Sequence, residues 1–128
     1  MEIAQPVRIL VADDEESLRL LCRVNLEADG MLVEEAEDGE QALAAISVQP
    51  PDAVLLDVMM PGLDGWEVAR RIRASADTAQ LPLIFLTAMT GPEAVARAYE
   101  LRGLHVSKPF NPATLASLVR QAIDNDLL

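Results

Sequence analysis

The run Val54-Leu55-Leu56-Asp57-Val58-Met59-Met60-Pro61-Gly62 ends an apolar stretch on a carboxylate and follows it at once with turn residues. A short apolar run bounded by turn signals reads as a buried strand, so this aspartate is presented at a strand end. The pattern recurs along the chain. Val7-Arg8-Ile9-Leu10-Val11-Ala12 leads into Asp13-Asp14, Leu83-Ile84-Phe85-Leu86 ends on Thr87, and Val106-Ser107 leads into Lys108-Pro109. If these strands are parallel their C-terminal ends share one sheet edge, the place where open α/β sheets bind ligands.

Between the strands lie segments of helical periodicity. Strands are expected near 7–12, 31–36, 53–57, 82–87 and 104–107, and helices near 15–28, 39–48, 65–75, 92–101 and 112–124. The last helix is the clearest, with Leu115, Leu118, Val119, Ala122 and Ile123 on one face, Asn111 as N-cap and Pro112 at the first helical position. Strict alternation of this kind implies an α/β fold, a doubly wound parallel sheet with helices on both faces and right-handed crossovers. At 128 residues, half of them hydrophobic, the chain suits a single domain over 1–128, with its core at about 7–124.

Charge and cysteine content remove several function classes. Ten Lys and Arg against 21 Asp and Glu leave a net charge of −11, which repels nucleic acid and anionic membrane surfaces. The start Met1-Glu2-Ile3-Ala4-Gln5-Pro6 lacks the basic and apolar stretches of a signal peptide, so a cytoplasmic protein is expected. A lone Cys22 makes no internal disulfide and reads as a core residue beside Leu18 and Leu21. Trp66 and Tyr99 read as helix packing or surface residues, and the methionines mostly as core filler.

The strand-end residues imply chemistry. Two carboxylates about 4 Å apart repel by roughly 4 kcal/mol at an effective dielectric near 20, and a third adds to this. A cation relieves the cluster, and oxygen-only ligands select a hard ion, Mg²⁺ or alternatively Mn²⁺ rather than Ca²⁺. With Lys108 and the Thr87 hydroxyl at the same edge, the set suits phosphoryl transfer to Asp57. Taken alone, Asp13-Asp14 could merely cap the next helix, and Lys108-Pro109 could be only a turn. Their occurrence together with Asp57 favours a site.

These pieces in this order, with Met59-Met60-Pro61-Gly62-Leu63-Asp64-Gly65 after Asp57, Thr87-Ala88, and Lys108-Pro109-Phe110, resemble the receiver domains of two-component response regulators from about Val7 to Ile123. The resemblance implies a flavodoxin-like (β/α)5 receiver fold of strand order 2-1-3-4-5. It implies Asp57 as phosphoacceptor and Asp14 and Asp57 as direct Mg²⁺ ligands. Asp13 would act mainly through water, and the backbone carbonyl of Met59 would complete the protein share. Lys108 and Thr87 would bind the phosphoryl oxygens, small Ala88 would leave them access, and Lys108-Pro109 would be cis, aiming the lysine inward. The donor would be a histidine kinase or histidine phosphotransfer protein. The output would pass through the fourth helix, fifth strand and fifth helix to a downstream protein or a dimer mate, with Arg97, Arg102 and Arg120 as candidate contacts. The family also places Met59 and Met89 beside the attacking water, where apolar side chains imply slow self-dephosphorylation. The chain ends just after the fifth helix, which suggests a free-standing regulator and not a classical enzyme.

One segment departs from the family pattern. Gly103-Leu104-His105-Val106-Ser107-Lys108 is two residues shorter than usual, and His105 stands where a switch aromatic is common. His105 is either a switch element or a satisfied histidine on an edge strand, the second being favoured. Two other functions compete. A pseudo-receiver binding module is disfavoured by the intact Asp14, Asp57, Thr87 and Lys108. A phosphohydrolase of the haloacid dehalogenase type wants a second aspartate where Met59 stands.

Overall fold

A computed structural model describes residues 5–89 and 91–124. Residues 1–4, part of the stretch read for a signal peptide, and 125–128, the last of the expected 1–128 domain, lie outside the described residues. In chain order the elements are β1 (Arg8–Ala12), α1 (Glu16–Ala28), β2 (Leu32–Ala36), α2 (Gly39–Val48), β3 (Ala53–Asp57), α3 (Gly65–Ala74), β4 (Leu83–Thr87), α4 (Pro92–Glu100), β5 (Gly103–Ser107), a 3-10 turn (Pro112–Thr114) and α5 (Leu115–Asp124). All strand pairs are parallel and the sheet order is β2-β1-β3-β4-β5, the order the resemblance implied.

The two-residue period of the strands sorts the core into two layers. Leu10, Ala12, Val54, Leu56, Leu83 and Phe85 face α2, α3 and α4, meeting Ala42, Ile46, Val68, Ile72, Ala94 and Ala98. Their neighbours Ile9, Val11, Ala53, Leu55, Ile84 and Leu86 face α1 and α5, meeting Cys22, Leu26, Leu115, Val119 and Ala122. The central strands β3 and β4 are buried at every residue, which explains why they read as unbroken apolar runs. Trp66 packs against this core with its ring centroid 4.8 Å from that of Phe85, whereas Tyr99 is exposed.

Some local expectations need correction. Leu21 is exposed and Leu18 only half-buried; Cys22 shares its buried face with Leu26, one turn further on, and burial pushes its thiol up to about 12. Asn111 caps the 3-10 turn, its Oδ1 accepting from the Ala113 amide at 3.0 Å, and α5 itself begins only at Leu115. The aspartate caps are regular: Asp38 accepts from the Gln41 amide and Asp64 from the Glu67 amide, at 2.8 and 2.9 Å. The short passage from α4 to β5 is made by Arg102 at φ 57°, a left-handed residue that turns the chain within two positions.

Candidate functional site

The C-terminal ends of β1, β3, β4 and β5 meet at one sheet edge. Asp57 is the last residue of β3 and is 4% exposed, because β1 and β4 flank its strand on both sides. Asp13 follows β1 and is 2% exposed, whereas Asp14 is exposed. Oxygens from Asp13, Asp14 and Asp57 all lie within 4.8 Å of one another. Lys108 Nζ, from the segment after β5, reaches Asp13 Oδ2 at 3.2 Å and Asp57 Oδ1 at 3.4 Å. The Lys108-Pro109 peptide is cis, and the Lys108 amide donates to the Thr87 carbonyl at 2.9 Å.

The remaining bonds divide the labour among the oxygens. Asp57 Oδ1 also accepts from the Met59 amide at 3.2 Å, while among the described residues nothing donates to Asp57 Oδ2. Both Asp13 oxygens are engaged, Oδ1 by the Glu15 amide at 2.8 Å and Oδ2 by Lys108. The reading of the acidic pair as a helix cap is not realised among the described residues: the Glu15 amide that Asp13 holds precedes α1, which starts without a side-chain cap. Thr87 is fully buried; its Oγ1 accepts from the Met89 amide at 2.9 Å, which leaves the hydroxyl proton to be donated elsewhere. Ala88 is exposed beside it. His105, half-buried on edge strand β5, donates from Nε2 to the Met89 carbonyl at 3.2 Å, so the satisfied reading describes its hydrogen bond.

Electrostatics express the strain of this packing. Burial first, then the charge of Asp13, raise the Asp57 carboxyl to about 6 against the partial relief of Lys108 and the Met59 amide. Burial works to lower Lys108, but Asp13 and Asp57 outweigh it and hold the ammonium above its ordinary value. A cluster whose burial and like charge raise a carboxyl in this way fits a divalent cation, and its oxygen-only donors fit a hard one. Gly65 lets α3 start against the site, since a Cβ there would fall on the Asp57 carbonyl oxygen and 2.7 Å from Val58 Cα.

Three features were not read from the sequence. Buried Arg19 donates to the Asp13 carbonyl at 2.8 Å and to Glu35 at 2.9 Å, fixing the end of β1 from α1. Arg73 donates to the carbonyls of Ala79, Leu81, Leu101 and Arg102 with no acid partner among the described residues, and burial and then Arg102 lower it to about 10. Trp66 Nε1 is buried without a hydrogen-bond partner among the described residues, under Arg97 at 5.9 Å from the ring. Long-range partners like these leave no local pattern. The arginines expected on the output face also divide: Arg120 is tied to Asp29 at 2.7 Å and Arg102 to the Ala79 carbonyl at 2.8 Å, leaving Arg97 without an acceptor among the described residues.

Comparisons with known proteins agree with this geometry. The profile of the response regulator receiver domain matches residues 9–120. The response regulator MprA of Mycolicibacterium vanbaalenii is 44% identical over 90% of this chain and 49% of its own length. The phosphate regulon transcriptional regulatory protein PhoB of Rhizobium meliloti is 39% identical over 88% of this chain and 50% of its own. The chain therefore spans about half the length of the curated relatives it matches. Among solved structures, the chemotaxis protein CheY4 of Vibrio cholerae superposes with a TM-score of 0.86 at 30% identity, covering 92% of this chain and 99% of that one. A putative response regulator from Chloroflexus aurantiacus reaches 0.88 at 31% identity, covering 94% and 100%. Fold, strand-end residues and profile agree that this chain belongs to the response regulator receiver domains, which are phosphorylation-dependent signalling switches.

Proposed function

We propose that Asp57 accepts a phosphoryl group from a histidine kinase or histidine phosphotransfer protein, in the cytoplasm. The observation that carries this reading is the division of its oxygens: Oδ1 is held by Met59 and Lys108, and Oδ2 has no donor among the described residues and is left to attack phosphorus. Asp14, Asp57 and the Met59 carbonyl would hold Mg²⁺, with Asp13 acting through water. The engagement of both Asp13 oxygens, against the exposure of Asp14, supports that order. When bound, the ion neutralises the phosphoryl oxygens and draws the acids together. Lys108 balances charge on the transferring group, and the Thr87 hydroxyl donates to a phosphoryl oxygen.

On α1, which starts two residues after Asp14, Leu20 and Val24 are each 57% exposed and Leu21 41%. This apolar stretch supports docking of the donor protein beside the site. Modification would then bias α4, β5 and α5 toward a conformation that a downstream protein or dimer mate prefers. The net charge of −11 argues that this segment does not itself touch nucleic acid. The dehalogenase-type hydrolase is not favoured, because Met59 supplies no carboxylate where that chemistry needs one.

Incubation with acetyl phosphate and Mg²⁺, followed by intact mass, tests the reading. A gain of one phosphoryl group that Asp57→Asn abolishes is expected. Label that persists in that variant, or equal labelling with excess chelator, would overturn it.

A further inference from the structure

The backbone of Asp13 is held from two neighbouring elements. Its amide donates to the Ala36 carbonyl of β2 at 3.1 Å, and its carbonyl accepts from Arg19 Nη1 of α1 at 2.8 Å. That carbonyl lies in the same peptide plane as the Asp14 nitrogen, so fixing it also fixes the direction in which Asp14 leaves the chain. The Asp14 side chain is exposed and makes no hydrogen bond of its own among the described residues. Arg19 is in turn anchored. It is 9% exposed, and its Nε donates to Glu35 Oε1 at 2.9 Å, while Glu35 Oε2 takes Arg23 Nε at 2.7 Å. The guanidinium is a planar fork, so with Nε held on β2 its Nη1 is aimed at the Asp13 carbonyl.

We propose that Arg19 is a positioning residue for the metal-binding acids: anchored by Glu35, it sets the peptide between Asp13 and Asp14 so that Asp14 meets the ion. The inference rests on the reading of Asp14 and Asp57 as Mg²⁺ ligands. With the fork in place Asp14 is presented in one direction, and the ion binds without first ordering that acid. Without it, the ordering falls to the ion and affinity drops. Charge acts with the opposite sign. A guanidinium bonded at Asp13 adds positive charge near the place a cation would take, so its removal would tighten Mg²⁺ binding if charge were its whole effect.

A backbone NMR titration of the unphosphorylated chain with Mg²⁺ separates the two, and it reads folded protein only, so lost stability does not imitate the result. Arg19→Met keeps an unbranched apolar stem and removes the donors, and its Mg²⁺ affinity should fall about fivefold, about 1 kcal/mol at about 1.4 kcal/mol per tenfold. Arg23→Met removes an equal charge and the other bond to Glu35 but no contact with Asp13, and its affinity should equal the parent's or be tighter. Arg19→Lys, the milder change should Arg19→Met fail to fold, keeps the charge and loses the fork, and its affinity should fall about twofold. An Arg19 variant that binds Mg²⁺ as tightly as the parent or more tightly overturns the proposal, as does an equal loss in Arg23→Met. Absence of Mg²⁺ binding by the parent chain overturns the metal reading itself.

Discussion

The residue with the most exposed energetics is Asp57. Its carboxyl sits at about 6 in the fold against an ordinary 3.8, so the folded state binds this proton more tightly than the unfolded chain does. The group's favourable contribution is complete below about 4 and is lost as pH rises through about 6. In metal-free protein at pH 8, Asp57→Asn should therefore raise unfolding stability by on the order of 2 kcal/mol. At pH 4 the difference should vanish, and Mg²⁺ should reduce it at pH 8. Urea unfolding at both pH values with and without the ion measures this; a variant no more stable than the parent at pH 8 without metal would contradict the origin assigned to the shift. Asp14→Ala should slow Mg²⁺-dependent labelling more than Asp13→Ala, since only Asp14 is free of protein donors among the described residues. A Mg²⁺ titration of labelling rate in both variants decides between them.

At the scale of elements, two contacts hold the helices that frame the site. Gly65 lets α3 begin directly on β3, and Gly65→Ala pushes a methyl group into the Asp57 and Val58 backbone. Overpacking against backbone costs about 1–3 kcal/mol, and here it also displaces Asp57, so the variant should lose stability and, with Asp57 the proposed acceptor, label more slowly. Unchanged urea midpoint and labelling rate would disprove the close approach. Arg73 joins α3 to the loop before β4 and to the end of α4 through carbonyls alone. Arg73→Ala leaves several of these carbonyls without their donor, at a cost on the order of 3 kcal/mol. Arg73→Lys should recover only part of it, because an ammonium lacks the planar fork that spans separate acceptors. Thermal or urea unfolding of the two variants provides the measurement.

For the whole molecule, the consequence of phosphorylation follows from connectivity. Thr87 ends β4 before α4, Lys108 follows β5 before α5, and the Lys108 amide is bonded to the Thr87 carbonyl. A new dianion held by both residues acts on those elements first. Moving an equilibrium from mostly inactive to mostly active takes roughly 5 kcal/mol of differential binding. A few charge-assisted hydrogen bonds of about 1.5–3 kcal/mol each supply it. Backbone NMR with beryllofluoride and Mg²⁺ should show shifts through residues 91–120 as well as in the loops around Asp57. Shifts confined to those loops would exclude this route.

The sequence by itself determined the elements and the polar residues at their ends. Unbroken apolar runs specify strands buried on both faces, and a polar residue ending each run places Asp13, Asp57, Thr87 and Lys108 at one edge before any coordinate is known. Strand order came from resemblance, because periodicity says that strands are buried but not which lie side by side. Tertiary structure alone decided which Asp57 oxygen is free, that Asp13 is engaged at both oxygens, and that Arg120 and Arg102 are already bonded. It also decided that Met59 and Met89 share a cavity and that Arg73 rests on carbonyls from two segments. Local propensity acts over a turn or two of chain, whereas these hydrogen bonds join residues up to 95 positions apart, brought together only by packing helices on an open parallel sheet.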